Sequence, residues 1–213
     1  MNLILVVAVP LALLAGPFFG PAEGRSFAYE CEACDLHGGE VHLLVASSHT
    51  PLLDLGLVSV AQAAGRTAFG HSDDFTAAIS TAADLAGIDA GVGVDELLPN
   101  TGLFEGPSAG LSSWLVFAVS GGHVDLGGRS VAATGTVAPD GVVGGIGLVE
   151  LKLGAAETVA GVAYVPADNL LDARDWLAAN PATALVVVAV DHVDGVVNHL
   201  AGDAGGWVDV SSR

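Results

Sequence analysis

Lysine is almost absent from this sequence of 213 residues. Five arginines and a single lysine, Lys152, stand against 24 Asp and Glu, so the formal net charge is −18. A field of that sign repels phosphate backbones and anionic headgroups, and we therefore expect no nucleic-acid partner. Such a surface suits a salt-rich environment, although an acidic secreted protein of ordinary habitat fits equally well. Because Arg cannot lose its proton, a lone lysine is either a required amine or a leftover surface residue.

Cysteine and aromatic residues are also scarce. Only Cys31 and Cys34 occur, in the motif C-E-A-C, and 6% of the residues are aromatic. One CxxC motif without a second pair is a weak zinc signal even with His37 and His42 nearby, so we expect a structural disulfide and no metal. The shortage of aromatics means that Val, Leu and Ala must build the core, which suits closely packed α/β layers.

An apolar stretch without a charge occupies residues 3–19. Its central run is typical of the hydrophobic region of a secretory signal, and an uncleaved membrane anchor is the alternative. We therefore predict an extracytoplasmic protein that is secreted or anchored through its N-terminus. The predicted parts are residues 1–25 as signal peptide or anchor, 26–39 as a connector that carries the cysteines, and 40–213 as one domain.

Strand-like and helix-like patterns largely alternate from residue 130 onward. Strands are predicted over residues 40–47, 130–137, 142–146, 162–165 and 185–190. Helices are predicted over residues 75–86, 108–120, 150–160, 169–179 and 191–200. The alternation favours an α/β fold, a single compact domain with a mixed sheet and packed helices.

Ser108 is the candidate nucleophile. It lies in G-P-S-A-G, residues 106–110, at the start of an apolar helix. The flanking glycines permit close approach of a substrate backbone, and the amides of a helix start can stabilise an oxyanion. A serine at this position can equally be a helix N-cap.

The same pentapeptide fits the G-x-S-x-G nucleophile elbow of α/β-hydrolases. Asp191 with His192 or His199 would complete that triad in a plausible chain order. An elbow requires a core strand that runs into the serine, whereas residues 99–105 make a poor strand and Pro107 cannot donate a ladder hydrogen bond. The elbow is therefore the weaker interpretation.

Lys152 is the candidate base for Ser108. A lysine accepts a proton only when it is neutral, and burial among apolar groups lowers the pKa of an amine. Leu148, Leu151 and Ala155 recur at helical spacing as a core stripe, and Lys152 stands at the edge of that stripe. The pattern predicts a partly desolvated amine.

Three segments together resemble the proteolytic domain of Lon-type serine proteases. They are G-P-S-A-G-L at 106–111, T-G-T-V-A-P-D-G-V-V-G-G-I-G at 134–147, and the lysine helix continuing through G-V-A-Y-V-P-A-D-N at 161–169. The second and third are most similar to the extracytoplasmic branch that carries a PDZ module. The resemblance covers residues 106–200 well and residues 40–105 poorly.

The resemblance implies a role for each matching residue. Ser108 takes the position of the nucleophile and Lys152 that of the general base. Thr134 matches a threonine that orients the lysine amine, and Glu105 stands where the family more often has Asp. The resemblance also implies a compact Lon-like α/β domain, no metal or nucleotide cofactor, and assembly into homo-oligomers, often hexameric rings.

The sequence departs from the family in two respects. The family motif P-I-G-G-I-x-x-K becomes G-I-G-L-V-E-L-K at residues 145–152, which loses a proline and the second glycine. The sequence contains no Walker-type loop and no PDZ module before residue 40. We therefore expect an ATP-independent serine endopeptidase that acts on peptides or unfolded protein segments.

Two alternatives remain open. The first is a non-catalytic, Lon-like extracytoplasmic module that binds peptides or assembles a complex, although such a scaffold would have no use for the pair of Ser108 and Lys152. The second is a Ser–Lys enzyme similar to signal peptidases, which lacks the expected S-M-x-P element here.

Overall fold

The computed structural model describes residues 23–29, 31–36, 38–47, 73–88, 106–203 and 205–211. The chain divides into two compact units, Met1–Glu23 with Ser47–Phe69 and Gly24–Ala46 with Gly70–Arg213. Nearly all of the first unit, including the predicted signal or anchor up to residue 22, lies outside the described residues, as does Glu105. The fold below is that of the second unit, which includes residues on both sides of position 40.

A six-stranded mixed sheet forms the centre of this unit. Its strand order is β1-β2-β3-β6-β7-β8; β2, β3, β6 and β7 pair in parallel, and β8 pairs antiparallel with β7. A separate antiparallel pair consists of β4 and β5. The strands are β1 (Glu23–Ala28), β2 (Glu40–Ser47), β3 (Ser130–Ala133), β4 (Thr136–Val137), β5 (Val143–Gly144), β6 (Val162–Pro166), β7 (Val186–Val190) and β8 (Trp207–Asp209).

Helices cover both faces of the sheet. Within the described residues the α-helices are α1 (Glu32–Asp35), α2 (Asp73–Leu85), α3 (Gly110–Ser120), α4 (Val149–Ala156), α5 (Leu170–Ala179) and α6 (Val193–Ala201). Short 3-10 turns, Pro107–Ala109 and Ala167–Asn169, precede α3 and α5. The mixed α/β class predicted from the alternation of elements is confirmed.

Alternate residues of the central strands divide the core into two clusters. In β6, Val162 and Tyr164 face α2, α3 and α6, whereas Ala163 and Val165 face α4 and α5. Successive side chains of a strand point to opposite faces, so a sheet covered on both sides needs apolar residues at nearly every position. The continuous apolar runs of β6 and β7 follow from this three-layer arrangement.

One predicted strand is in fact two. The run predicted over 130–137 leaves the main sheet after Ala133 and continues as β4 in the small hairpin. The break falls at Thr134 and Gly135, since Thr134 N–H still donates to the Tyr164 carbonyl at 3.1 Å while Gly135 N–H turns to Ser108. The helix predicted over 150–160 ends at Ala156, and β1, α1 and β8 were not predicted.

The predicted disulfide between Cys31 and Cys34 is confirmed. Both cysteines are buried beside α3, with Cys31 Sγ 4.0 Å from Ser120 Oγ. In the part of the chain that the structure describes, no helix is long and apolar enough to cross a membrane.

Candidate active site

Ser108 lies in the 3-10 turn that leads into α3. Gly106, which precedes this turn, has φ 80° and ψ 161°, a backbone conformation that favours glycine. Neither the 3-10 turn nor α3 is capped by a side-chain hydrogen bond. The alternative that Ser108 is an N-cap is therefore wrong, and no hydrogen bond of its hydroxyl occurs within the described residues.

The backbone of Ser108 is hydrogen-bonded to the residues that follow β3. Its carbonyl accepts a hydrogen bond from Gly135 N–H at 2.9 Å and one from the Thr134 hydroxyl at 3.4 Å. Leu111 N–H in turn donates to the Gly135 carbonyl at 3.0 Å. The serine turn thus sits at the carboxyl edge of the parallel strands, the usual place for a site in an open α/β sheet.

Two glycines allow this close approach. A Cβ atom on Gly110 would lie 2.9 Å from Val137 N, and one on Gly135 would lie 3.0 Å from Val143 Cγ1. Contacts this short force a backbone or core side chain to move. Gly110 and Gly135 therefore serve the packing of the start of α3 against the loop that carries Thr134.

Lys152 lies on α4 with a side chain that is only 5% exposed. Its Nζ atom donates a hydrogen bond to Thr134 Oγ1 at 3.2 Å. Burial lowers the pKa of the amine from 10.5 to about 8. No carboxylate among the described residues forms an ion pair with it, so no opposite charge there offsets the cost of burying the ammonium.

The predicted core stripe on this helix is wrong in phase. Leu148 is 52% exposed and Leu151 half-buried, whereas Val149, Leu153 and Lys152 itself are buried. Leu148 stands outside the helix in the left-handed conformation, with φ 59°, and the helix begins only at Val149. A backbone conformation of this kind favours glycine, which has no Cβ atom.

Asn169 is a buried residue of the site for which the sequence predicted no role. Its Oδ1 accepts from Ile146 N–H at 2.9 Å, and its Nδ2 donates to the Ile146 carbonyl at 2.9 Å and to Asp172 Oδ2 at 3.0 Å. Ile146 lies in the loop that leads to α4. A polar side chain directly after a buried strand was the available signal, since such groups are normally hydrogen-bonded when buried.

The structure brings three of the four candidate residues together. Lys152 contacts Thr134, and Thr134 contacts the Ser108 backbone, although no hydrogen bond joins the Ser108 hydroxyl to the Lys152 amine in the described part of the chain. Glu105, the fourth, is outside the described residues.

The histidines of the α/β-hydrolase alternative are engaged elsewhere. His192 Nε2 hydrogen-bonds to the Asp140 carbonyl at 2.8 Å, and its Nδ1 accepts from Asp194 N–H at the start of α6. His199 Nδ1 pairs with the Tyr164 hydroxyl at 2.7 Å. Neither ring forms a hydrogen bond with Ser108 among the described residues, so the structure gives that triad no support.

A buried polar cluster supports the helix that follows Ser108. The Tyr29 hydroxyl lies 2.9 Å from both Ser112 Oγ and Ser113 Oγ, and Ser112 also donates to the Ala109 carbonyl at 3.0 Å. Burial raises the pKa of Tyr29 to about 12. Both serines thus join the first turn of α3 to the segment after β1.

Within the described residues no group of three or more His, Cys, Asp or Glu side chains could hold a metal ion. No protein-family model matches the chain, and no curated protein matches it significantly.

Proposed function

We propose that this protein is an ATP-independent serine endopeptidase of Lon type that uses Ser108 as nucleophile and Lys152 as general base. The single observation that carries the proposal is the buried Lys152 amine, hydrogen-bonded to Thr134 beside the serine turn. The three segments that resemble Lon-type proteolytic domains contribute all three of these residues.

The state of Lys152 supports the role of base. Because its pKa is lowered to about 8, an appreciable fraction of the amine is neutral near pH 7 and nearly all of it is neutral at pH 9. Its contact with Thr134 uses one N–H of the amine. The lone pair of the neutral nitrogen is then available to the hydroxyl proton of a serine that approaches it.

The reaction follows the general course of acyl transfer. Ser108 Oγ attacks the peptide carbonyl while its proton passes to Lys152 Nζ, and a tetrahedral oxyanion forms. The 3-10 turn and α3 direct the positive end of their dipoles toward this position, which favours the oxyanion. The intermediate collapses, the leaving amine takes the proton from Lys152, and water activated by the neutral amine hydrolyses the acyl-enzyme.

We also propose that the protein works outside the cytoplasm, secreted or anchored through residues 1–25, and that it assembles into homo-oligomers. The disulfide supports the first part, because disulfides persist mainly in oxidising compartments. The second part rests on the resemblance alone. The proposed substrates are peptides or unfolded protein segments.

Hydrolysis of unfolded casein by the full-length chain, without ATP and at low and high salt, tests the proposed activity. We expect Ser108→Ala and Lys152→Met each to reduce the rate by at least about 10³-fold, since each removes a group that takes part in the chemical step. Ser120→Ala, at the opposite end of α3, serves as the control and should keep the activity of the wild type. Circular dichroism checks that each variant is folded.

A fluorophosphonate probe gives a second readout that does not depend on the natural substrate. We expect it to label Ser108 in the wild type at pH 9 and to label neither Ser108→Ala nor Lys152→Met. A folded wild type that neither hydrolyses casein nor reacts with the probe would overturn the proposal, as would full activity in either variant.

A further inference from the structure

The side chain of Asn169 forms a reciprocal pair of hydrogen bonds with one backbone residue. Its carbonyl oxygen accepts from Ile146 N–H and its amide donates to the Ile146 carbonyl, both at 2.9 Å. Asn169 is 7% exposed, so water cannot compete freely for either hydrogen bond. The amide thus binds the loop as a neighbouring strand would.

The loop that Asn169 binds decides where the lysine helix begins. Residues 145–148 follow β5 without regular secondary structure and end at Leu148, in the left-handed conformation that starts α4. Ile146 is six positions before Lys152 in the sequence. Lys152 lies in the first turns of α4, so a displaced loop would displace the amine.

Strand β6 positions both Thr134 and the loop that precedes Lys152. Thr134 N–H donates to the carbonyl of Tyr164 in β6, and Asn169 ends the 3-10 turn that directly follows β6. Asp172 accepts the remaining amide proton of Asn169 at 3.0 Å, which fixes the orientation of the amide. The distance between Thr134 and Lys152 therefore depends on the Asn169 contact.

We propose that Asn169 is a positioning residue that holds the loop at Ile146 and thereby keeps Lys152 within reach of Thr134 and Ser108. This inference rests on the proposed function for its catalytic consequence, although the placement of Lys152 can be measured without any substrate. Asn169 does not touch the reacting atoms; it acts through the backbone of the loop.

The single lysine makes the test direct. With ¹³C-labelled lysine, the full-length chain gives one side-chain signal, whose pH titration reports the pKa of Lys152 alone. We expect Asn169→Ala to raise this pKa from about 8 toward its ordinary value, because a displaced amine regains water. The rate of casein hydrolysis should fall on the order of 100-fold, mainly in kcat. The increase of the rate with pH should shift to higher pH.

Asn180→Ala is the matched control. The Asn180 amide also donates to a backbone carbonyl, that of Trp176 at 2.8 Å, but at the other end of α5 and away from the lysine loop. This control should leave the titration of Lys152 and the pH profile unchanged. Asp172→Ala removes the support of the amide together with a first-turn carboxylate of α5. It should move the titration and the pH profile in the same direction as Asn169→Ala but less, and it replaces Asn169→Ala if that variant does not fold.

The outcomes separate the two proposals. The positioning role would be overturned if Lys152 had the same pKa in Asn169→Ala as in Asn180→Ala. If Asn169→Ala does not fold, the same comparison is made with Asp172→Ala. A raised pKa in a chain whose wild type hydrolyses nothing would support the positioning role and reject the protease.

Discussion

The Nζ atom of Lys152 lies 3.2 Å from the Oγ1 atom of Thr134, and both side chains are buried. Among the described residues, the partner of the amine is thus a neutral hydroxyl rather than a carboxylate. A carboxylate would favour the ammonium and keep the pKa high, whereas a hydroxyl leaves desolvation as the dominant effect. Burial explains how a lysine in the interior can be neutral at a pH at which surface lysines are charged.

The buried amine makes the stability of the fold depend on pH. Between pH 8 and about 10.5 the unfolded chain binds more protons at Lys152 than the folded chain does, so stability should rise with pH over that range. Below pH 8 the cost of burying the ammonium is fully present, on the order of 3 kcal/mol. We expect Lys152→Met to raise the free energy of unfolding at pH 7 by roughly 1–3 kcal/mol and to remove the rise between pH 8 and 10.

Urea denaturation at several pH values measures this effect. Leu151→Met, on the neighbouring position of α4, is the control that should keep the pH dependence of the wild type. Measurements stop at pH 10, because the raised pKa of Tyr29 makes stability fall at higher pH. If Lys152→Met and the wild type have parallel pH profiles, the ammonium is not desolvated in the folded state.

Leu148 carries a backbone conformation that costs free energy in a residue with a Cβ atom. Its φ of 59° is unfavourable by roughly 1–2 kcal/mol, and glycine removes that cost while it adds roughly 0.5–1 kcal/mol of chain entropy. Because the side chain is 52% exposed, little burial is lost. We expect Leu148→Gly to stabilise the fold by about 0.5 kcal/mol, measured by urea denaturation.

Leu171→Gly is the matched control for that prediction. Leu171 is an exposed leucine in the ordinary helical conformation of α5, where glycine should destabilise by about 0.5–1 kcal/mol. Leu148→Ala should bring no gain, since alanine keeps the Cβ atom. Equal losses in Leu148→Gly and Leu171→Gly would contradict the assignment of strain to Leu148.

Two helical glycines should respond in opposite ways to alanine. A Cβ on Gly110 would approach Val137 N to 2.9 Å, so Gly110→Ala must push the serine turn away from the loop of Thr134. We expect hydrolysis to fall by at least about tenfold, with a loss of stability of roughly 1–3 kcal/mol. Gly154 lies on the exposed face of α4, and a Cβ atom added there would meet nothing within 4 Å. Gly154→Ala should therefore stabilise the fold by roughly 0.5–1 kcal/mol and leave the activity unchanged.

Casein hydrolysis and thermal unfolding of the two variants measure these effects side by side. Each substitution puts alanine in place of glycine within a helix, at the first position of α3 for Gly110 and in the interior of α4 for Gly154. Full activity in Gly110→Ala would show that the close approach of α3 to the loop is not required.

Local patterns were sufficient for most of the fold. The ranges predicted for β7, α2, α3 and α5 lie within a few residues of their observed bounds. The strand predicted through residue 137 was wrong at Thr134 and Gly135, because apolar alternation continues there while the hydrogen bonds change partner from Tyr164 to Ser108. Strand β8 was missed, since three residues among glycines and acids carry no periodic signal.

The sequence by itself determined the chemistry that is available: one lysine, a serine between glycines at a helix start, and apolar strands that require a helix layer on each face. Only the tertiary structure decided that Lys152 is buried, that its partner is Thr134 and that Asn169 holds the loop before it. The physical reason is that desolvation and hydrogen bonding depend on neighbours distant in the chain. The left-handed conformation of Leu148 also sets where α4 begins and therefore which of its residues face the core. The apolar spacing alone predicted the wrong buried face.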